Sequence, residues 1–403
     1  MIKIAILGYG TVGSGVYEIV QKNAKSIKRK SGKEISVARI LDLRDFEDHP
    51  QKELFTKNFD DILNNTTISV VVETIGGLEP AYRFTKSALL AGKSVVTSNK
   101  ELVATHGTEL LRIAREQNVN YLFEASVGGG IPIIRPLHGC LAANEITEIF
   151  GILNGTTNYI LTKMIKDGES FEDALAQAQE KGYAERNPEA DVEGHDACRK
   201  ICILASLAFG KAVDADKIHT EGITKITLAD VRAAESLGYV IKLIGYTKSE
   251  NGKAICRVSP MLVPDDNPLS GVEDVFNAIM VRGDSIGDVM FYGRGAGKLP
   301  TASAVVADVI DIVKGADNKN FIWDKAPEDY MACYQEAVVS LFVRAQGVSK
   351  DDVVKVFGTD TVFADSAELC FITPAAKEKD LDQKLASLKA QIISKIRVMQ
   401  EEE

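Results

Sequence analysis

The sequence predicts an α/β protein in three parts: a parallel, doubly wound sheet at the N-terminus, a mixed α+β domain in the middle, and a small α+β module at the C-terminus. Three observations predict this. The apolar run at residues 2–7 leads straight into the glycine turn Gly8-Tyr9-Gly10-Thr11-Val12-Gly13. Short apolar strands then alternate with helical segments as far as Glu124, the pattern of strands joined by helical crossovers. From about residue 145 the rhythm changes, and strands at 145–153, 240–247 and 254–263 alternate with helices, as in a mixed sheet covered on one face.

The bulk numbers narrow the function classes. A chain of 403 residues fits two or three domains, and 45% apolar residues suffice for real cores. No apolar run approaches the ~20 residues of a membrane span. A net charge of −10 argues against nucleic acid or an anionic membrane as partner. The opening MIKIAILGYG carries no basic leader and reads as a strand, not a signal peptide. Cys140, Cys198, Cys202, Cys256, Cys333 and Cys370 form no CxxC pair, which points to reduced thiols and a cytoplasmic location. Five histidines without an HExxH pattern give metal hydrolysis no support.

In chain order, residues 2–7 form a central parallel strand. Gly8 allows the tight turn, Gly10 lets backbone approach a pyrophosphate, and Gly13 permits close helix–strand packing, so a Rossmann dinucleotide-binding domain is expected. The helix beginning near Val12 offers its N-terminal NH groups to the phosphates. After the strand at 35–41, Asp42 suits the ribose 2′-OH of NAD and Arg44 the 2′-phosphate of NADP, so the cofactor is NADP or NAD. Thr74 follows the strand at 69–73, and Ser98 and Lys100 follow the one at 94–97. All three lie on the carboxyl edge, where open α/β sheets bind ligands. Pro80 and Gly92 bracket a helix. The loop Ala125–Pro132, with three glycines, is either a hinge or a set of carbonyls for a hard cation.

In the middle domain, Asn154-Gly155-Thr156-Thr157-Asn158 precedes a helix that it caps by default; binding a substrate carboxylate is the other reading. Residues 182–200 gather Glu185, Glu189, Asp191, Glu193 and Asp196 ahead of Arg199 and Lys200. Asp196 and Lys200 share one face of a mostly apolar helix, at i,i+4 spacing. A surface ion pair would explain that spacing. The clustered acids favour instead a negative pocket for an amino-acid ammonium, with the lysine as proton donor. A glycine-rich loop at 293–300 leads to a helix at 300–315 that returns to the first domain. The expected domains are 1–130 completed by 300–315, then 131–299, then 317–403, whose last helix is placed at 380–393.

Read together, GxGTVG, SNKELVA, EASVGGGIPII, GILNGTTNYILTKM, GYAE, DVEGHDACRK and YGRGAGKLPTASAVVAD resemble the homoserine dehydrogenase family over about residues 1–315. The resemblance implies NADPH- or NADH-dependent reduction of L-aspartate 4-semialdehyde to L-homoserine, on the route to threonine, methionine and isoleucine. It implies Lys200 as proton donor with Lys100 acting on substrate or cofactor, and Glu185, Asp191 and Asp196 at the substrate. Thr11, Val12, Arg44, Lys100 and Gly297 match cofactor positions. Glu124 and the carbonyls of Val127, Gly129 and Ile131 match a site for a monovalent cation such as Na+. Asn187-Pro188 stands where the family usually has Asp-Pro. The C-terminal module, best matched at AELCFITPAAK, resembles a degenerate ACT-type amino-acid-binding unit.

The expected chemistry is hydride delivery to an aldehyde carbon while a lysine ammonium stabilises and protonates the oxyanion. Edge strands in the middle domain point to a homodimer or homotetramer. Two rivals stand beside this reading: a related oxidoreductase acting on another aldehyde, and a non-catalytic NAD-binding amino-acid sensor.

Overall fold

The computed structural model describes residues 1–315, 323–359, 362–365 and 368–400. The chain divides into two compact units. The first combines Met1–Ile146, Cys202–Ala215 and Gly283–Ala326; the second combines Thr147–Ile201, Asp216–Arg282 and the chain from Pro327 onward. The expected boundary at 317 lies outside the described residues.

The first unit is built on β1 (Ile2–Leu7), β2 (Ile35–Leu41), β3 (Phe55–Thr56), β4 (Ile68–Glu73), β5 (Ser94–Thr97) and β6 (Tyr121–Leu122). All run parallel in the order β3-β2-β1-β4-β5-β6. This is the doubly wound order, and its switch point falls where β1 lies between β2 and β4. These apolar strands are buried on both faces, with Ile4, Ile6, Val70 and Val72 on one side and Leu7 and Val71 on the other at 1% exposure or less. Each such side chain contributes roughly 1.5–3 kcal/mol relative to exposure. The helix Lys298–Lys314 lays Ala302, Val305 and Val309 into the same core. It meets the helix Thr11–Lys22 where an added Cβ on Gly15 would stand 2.9 Å from Ala302 Cβ. This helix therefore packs into the core of the first unit.

The second unit holds β7 (Ile146–Ile152), β8 (His219–Thr220), β9 (Tyr239–Glu250), β10 (Lys253–Pro264) and β11 (Phe276–Gly283); β12 (Gly287–Arg294) then belongs to the first unit. The C-terminal strands are β13 (Val338–Gln346), β14 (Val362–Asp365), β15 (Glu368–Ile372), β16 (Ala376–Lys377) and β17 (Gln391–Val398). Their order is β11-β7-β9-β10-β17-β13-β15-β14, with β8 beside β10 and β16 beside β13. β9 and β10 pair antiparallel over their full length around Asn251-Gly252, both at positive φ, the pairing an Asn-Gly hairpin turn favours.

The order β17-β13-β15-β14, with helices Lys350–Phe357 and Glu378–Ser387 as crossovers, is a split βαβ arrangement. It corrects the expected helix at 380–393. The helix ends at Ser387, Lys389 takes φ 52°, and the chain re-enters as β17. The β-branched Ile392, Ile393 and Ile396 favour an extended chain. β17 pairs antiparallel with β13 and parallel with β10, so the C-terminal strands continue the middle sheet.

Candidate active site

Two groups of residues were singled out by sequence, one in each unit. In the first unit the β1 turn has the geometry that a pyrophosphate needs. Gly8 sits at φ 89°, and a Cβ on Gly13 would stand 1.9 Å from Gly8 O, so no larger residue fits. A Cβ on Gly10 would meet nothing within 4 Å, which leaves its backbone open to a ligand. No side chain caps the helix Thr11–Lys22, so the NH groups of its first turn, at exposed Thr11 and half-buried Val12, are not taken by a cap. Thr74 braces this turn: its hydroxyl donates to Leu7 O and Gly8 O, both at 3.0 Å.

At the end of β2, Asp42 accepts from Tyr9 N at 2.8 Å and takes the Arg44 guanidinium on both oxygens, at 2.9 and 2.8 Å. The Arg44 hydrogen bond comes first among the causes that hold the Asp42 carboxyl down to about 2. Arg44 also donates to Tyr9 O at 2.9 Å while most of its side chain faces solvent. Asp42 and Arg44, the two residues expected to meet the ribose, thus grip each other beside the glycine turn.

Ser98, half-buried, follows β5 and donates its NH to Glu73 O at 3.4 Å. Asn99 caps the helix Lys100–Glu116, accepting from Leu102 N and donating to Gly77 O. Lys100 is the helix's first residue and half-buried. Glu73 is a residue that sequence reasoning passed over. It is fully buried, so desolvation pushes its pKa up, and it accepts from Thr97 Oγ1 and Ile75 N. Its signal was an acid closing the apolar strand SVVVE.

Gly297 caps the helix Lys298–Lys314 at φ 122° and ψ 153°, a conformation essentially confined to glycine. The preceding loop lies against residues 128–131, where Gly130 N donates to Arg294 O at 3.1 Å. The buried Glu124 spends its carboxylate on NH groups: Ile133 N at 2.7 Å, Ile134 N at 2.9 Å, Arg135 N at 2.9 Å and Arg135 Nε at 3.0 Å. Both oxygens are saturated, so this carboxylate does not fit a direct ligand role for a cation. Among the described residues no cluster of His, Cys, Asp and Glu could hold a metal either. The carbonyl-bearing loop Val127, Gly129 and Ile131 is the part of the expected cation set that remains.

In the second unit, the helix His195–Phe209 carries Asp196 and Lys200, at 5% and 7% exposure. Lys200 Nζ donates to Asp196 Oδ2 at 2.6 Å and to Leu153 O at 2.6 Å. Asn154 joins the same cluster. Its Nδ2 donates to Asp196 Oδ2 at 2.9 Å and to Asp191 Oδ1 at 2.7 Å, while its Oδ1 caps the helix Gly155–Asp167 by accepting from Thr157 N at 2.9 Å. The structure therefore brings Asp191, Asp196, Lys200 and Asn154 together. The bland reading of the i,i+4 pair, a surface salt bridge, does not fit side chains this buried.

Other acids of the stretch go elsewhere. Glu193 accepts from Thr224 Oγ1, and Glu185 is exposed, with its backbone carbonyl accepting from Gln179 Nε2. The GYAE loop is tied in through backbone, Thr156 Oγ1 donating to Tyr183 O at 2.7 Å. Leu153 O was invisible to sequence reading because a carbonyl has no residue signature.

The doubly wound sheet with its glycine turn belongs to the class of dinucleotide-binding proteins, and the family profiles that match the chain make this one an NAD(P)-dependent oxidoreductase. The profile "Homoserine dehydrogenase, NAD binding domain" matches residues 8–124, and the profile "Homoserine dehydrogenase" matches residues 132–310. The homoserine dehydrogenase of Bacillus subtilis is 37% identical over 96% of this chain and 94% of its own. That of Pseudomonas aeruginosa is 45% identical over 78% and 72%. The solved homoserine dehydrogenase of Thiobacillus denitrificans superposes with a TM-score of 0.89 at 36% identity, covering 99% of this chain and 98% of that one. A hyperthermophilic archaeal homoserine dehydrogenase in complex with NADPH superposes at 0.66 and 31% identity, over 77% and 97%. The chain belongs to the homoserine dehydrogenase family.

Proposed function

We propose that the chain catalyses the reversible reduction of L-aspartate 4-semialdehyde to L-homoserine with NADPH or NADH, serving threonine, methionine and isoleucine synthesis. The observation that carries this is the buried Lys200 ammonium held by Asp196 and Leu153 O. When bound, the nicotinamide supplies the hydride. Lys200 Nζ lies ready to stabilise the developing alkoxide and to give it a proton. Asp196 and the Leu153 carbonyl fix that nitrogen in place. Asp191 and Asp196, steadied by Asn154, receive the substrate ammonium, with Glu185 approaching from the exposed GYAE loop. Lys100 acts at the cofactor or substrate from the end of β5.

The turn Gly8, Gly10, Thr11, Val12 and Gly13 would hold the cofactor's phosphates, and Thr74, Ser98, Lys100 and Gly297 are the further residues that would bind it. Arg44 turned onto a 2′-phosphate selects NADP; Asp42 released onto a 2′-OH admits NAD. A monovalent cation such as Na+ would rest on the carbonyls of Val127, Gly129 and Ile131, with Glu124 fixing the loop from behind; no step depends on it. In modular terms, 1–130 with 300–315 binds the dinucleotide, 131–299 binds substrate, and 317–403 is the degenerate ACT-like module. We take the assembly to be a homodimer or homotetramer and the location to be the cytoplasm. Among the described residues no helix is long and apolar enough to cross a membrane.

The test is the initial rate of L-homoserine oxidation with NAD and with NADP. Turnover with at least one supports the reading. Dinucleotide binding without turnover on homoserine would favour the sensor, and turnover only on other hydroxy acids would favour the related oxidoreductase.

A further inference from the structure

Arg257 is a buried cation with no acid assigned to it. Its residue is 4% exposed, and its Nε and Nη1 atoms meet no hydrogen-bond acceptor. Native structures rarely leave a buried guanidinium in that state, because its donors were fully hydrated before folding. Across the β9–β10 pair it faces Tyr246, whose ring lies 4.3 Å from the guanidinium carbon. Three acids near the guanidinium are committed elsewhere. Glu148 takes the Tyr246 hydroxyl at 2.8 Å, Arg282 at 2.8 Å and Lys248 at 3.3 Å. Glu378 and Glu221 both take Arg397. Burial accordingly pulls Arg257 down to about 10, against the ordinary strongly basic value.

Arg257 lines a cavity of about 240 Å³ within the second unit, together with Tyr246, Glu148, Lys248, Glu250 and Gln400. This cavity is not the Lys200 cluster. A Cβ on Gly245 would meet Leu153 and Ile201, so that residue faces the Lys200 helix. Tyr246, the next residue along β9, points to the opposite face of the sheet.

We propose that this cavity binds a small carboxylate, whose oxygens accept the unmade Nε and Nη1 hydrogen bonds of Arg257. A carboxylate is the anion that matches a planar guanidinium with several donors, and the cavity suits a molecule of amino-acid size. Lys248 adds positive charge at the rim. Glu250 at the cavity supplies negative charge for a ligand that carries an ammonium as well.

The experiment titrates the full-length, dinucleotide-free protein by calorimetry with acetate, glycine and methylammonium, beside Arg257→Met, Arg257→Lys and Lys200→Ala. Acetate or glycine is expected to bind the parent and Lys200→Ala alike. Arg257→Met should weaken that binding at least about tenfold, the loss expected for charged hydrogen bonds. Unliganded Arg257→Met should melt no lower than the parent, because an unpaired buried charge is removed. If Arg257→Met does not fold, Arg257→Lys, which keeps the charge but loses the planar donor set, should also bind more weakly. The proposal is overturned by no carboxylate binding to the parent, by binding that survives in both Arg257 variants, or by methylammonium binding as well as acetate. It is also overturned if Arg257→Met chiefly changes the oligomeric state, since the acceptor would then come from another copy of the chain.

Discussion

Lys200 and Asp196 lie one helical turn apart and meet at 2.6 Å with both side chains buried. A pair at this spacing on a wet helix face contributes roughly 0.2–0.5 kcal/mol. Burial changes the arithmetic, because each charge left without the other is costly. Leu153 O and Asn154 Nδ2 bond the pair as well and offset part of its burial cost. A buried charge kept at that expense fits the proton-donor role proposed for Lys200.

Asp196→Ala should lose about 3–5 kcal/mol of stability, the cost of stranding a buried partner. The double variant Asp196→Ala/Lys200→Met should recover most of that loss while remaining inactive. Urea unfolding of the parent, both singles and the double measures it. Additive losses in the double would show that the two charges do not depend on each other.

Arg44→Ala should weaken NADP binding at least about tenfold, the cost of one charged hydrogen-bonding partner. NAD binding should change far less, because Asp42 is freed for the 2′-OH. The Arg44 hydrogen bond is the main cause of the low Asp42 pKa, so the Asp42 carboxyl should also rise from about 2 towards the ordinary value near 4. Fluorescence titration with both dinucleotides reads the first effect and NMR titration the second. Equal weakening towards both cofactors would contradict this assignment.

Lys242, at 2% exposure, donates to Val272 O at 2.5 Å, and burial lowers its pKa to about 8. Below pH 8 it is charged in both the folded and the unfolded chain, so folding carries the whole desolvation penalty. As pH rises from about 8 to about 10.5 the folded chain sheds the proton first and the penalty fades. Lys242→Met removes that penalty and also the hydrogen bond. Its melting temperature relative to the parent should therefore be highest below pH 8 and fall steadily up to pH 10.5. A flat difference across that range would show that Lys242 titrates normally.

The dinucleotide half was legible because its constraints are steric and local. Gly8 needs positive φ and Gly13 must have no side chain, so both leave marks in the sequence. The Asp196–Lys200 spacing was legible because helical periodicity places both on one face. Asn154 was read only as a cap or a carboxylate binder; it caps the helix and also bridges Asp191 and Asp196 through tertiary contacts. Leu153 O and the saturation of Glu124 are backbone matters, and no residue type announces them. The expected helix at 380–393 overruns into the first residues of β17 because apolar spacing alone does not mark where the helix stops. Its true partners, β13 and β10, lie far away in sequence.

The most direct measurement is the steady-state kinetics of Lys200→Ala in homoserine oxidation, with dinucleotide affinity determined separately. A fall in kcat of at least about a hundredfold is predicted, the low end for losing a general acid, with NADPH affinity near that of the parent. Near-parental turnover in that variant would contradict the account.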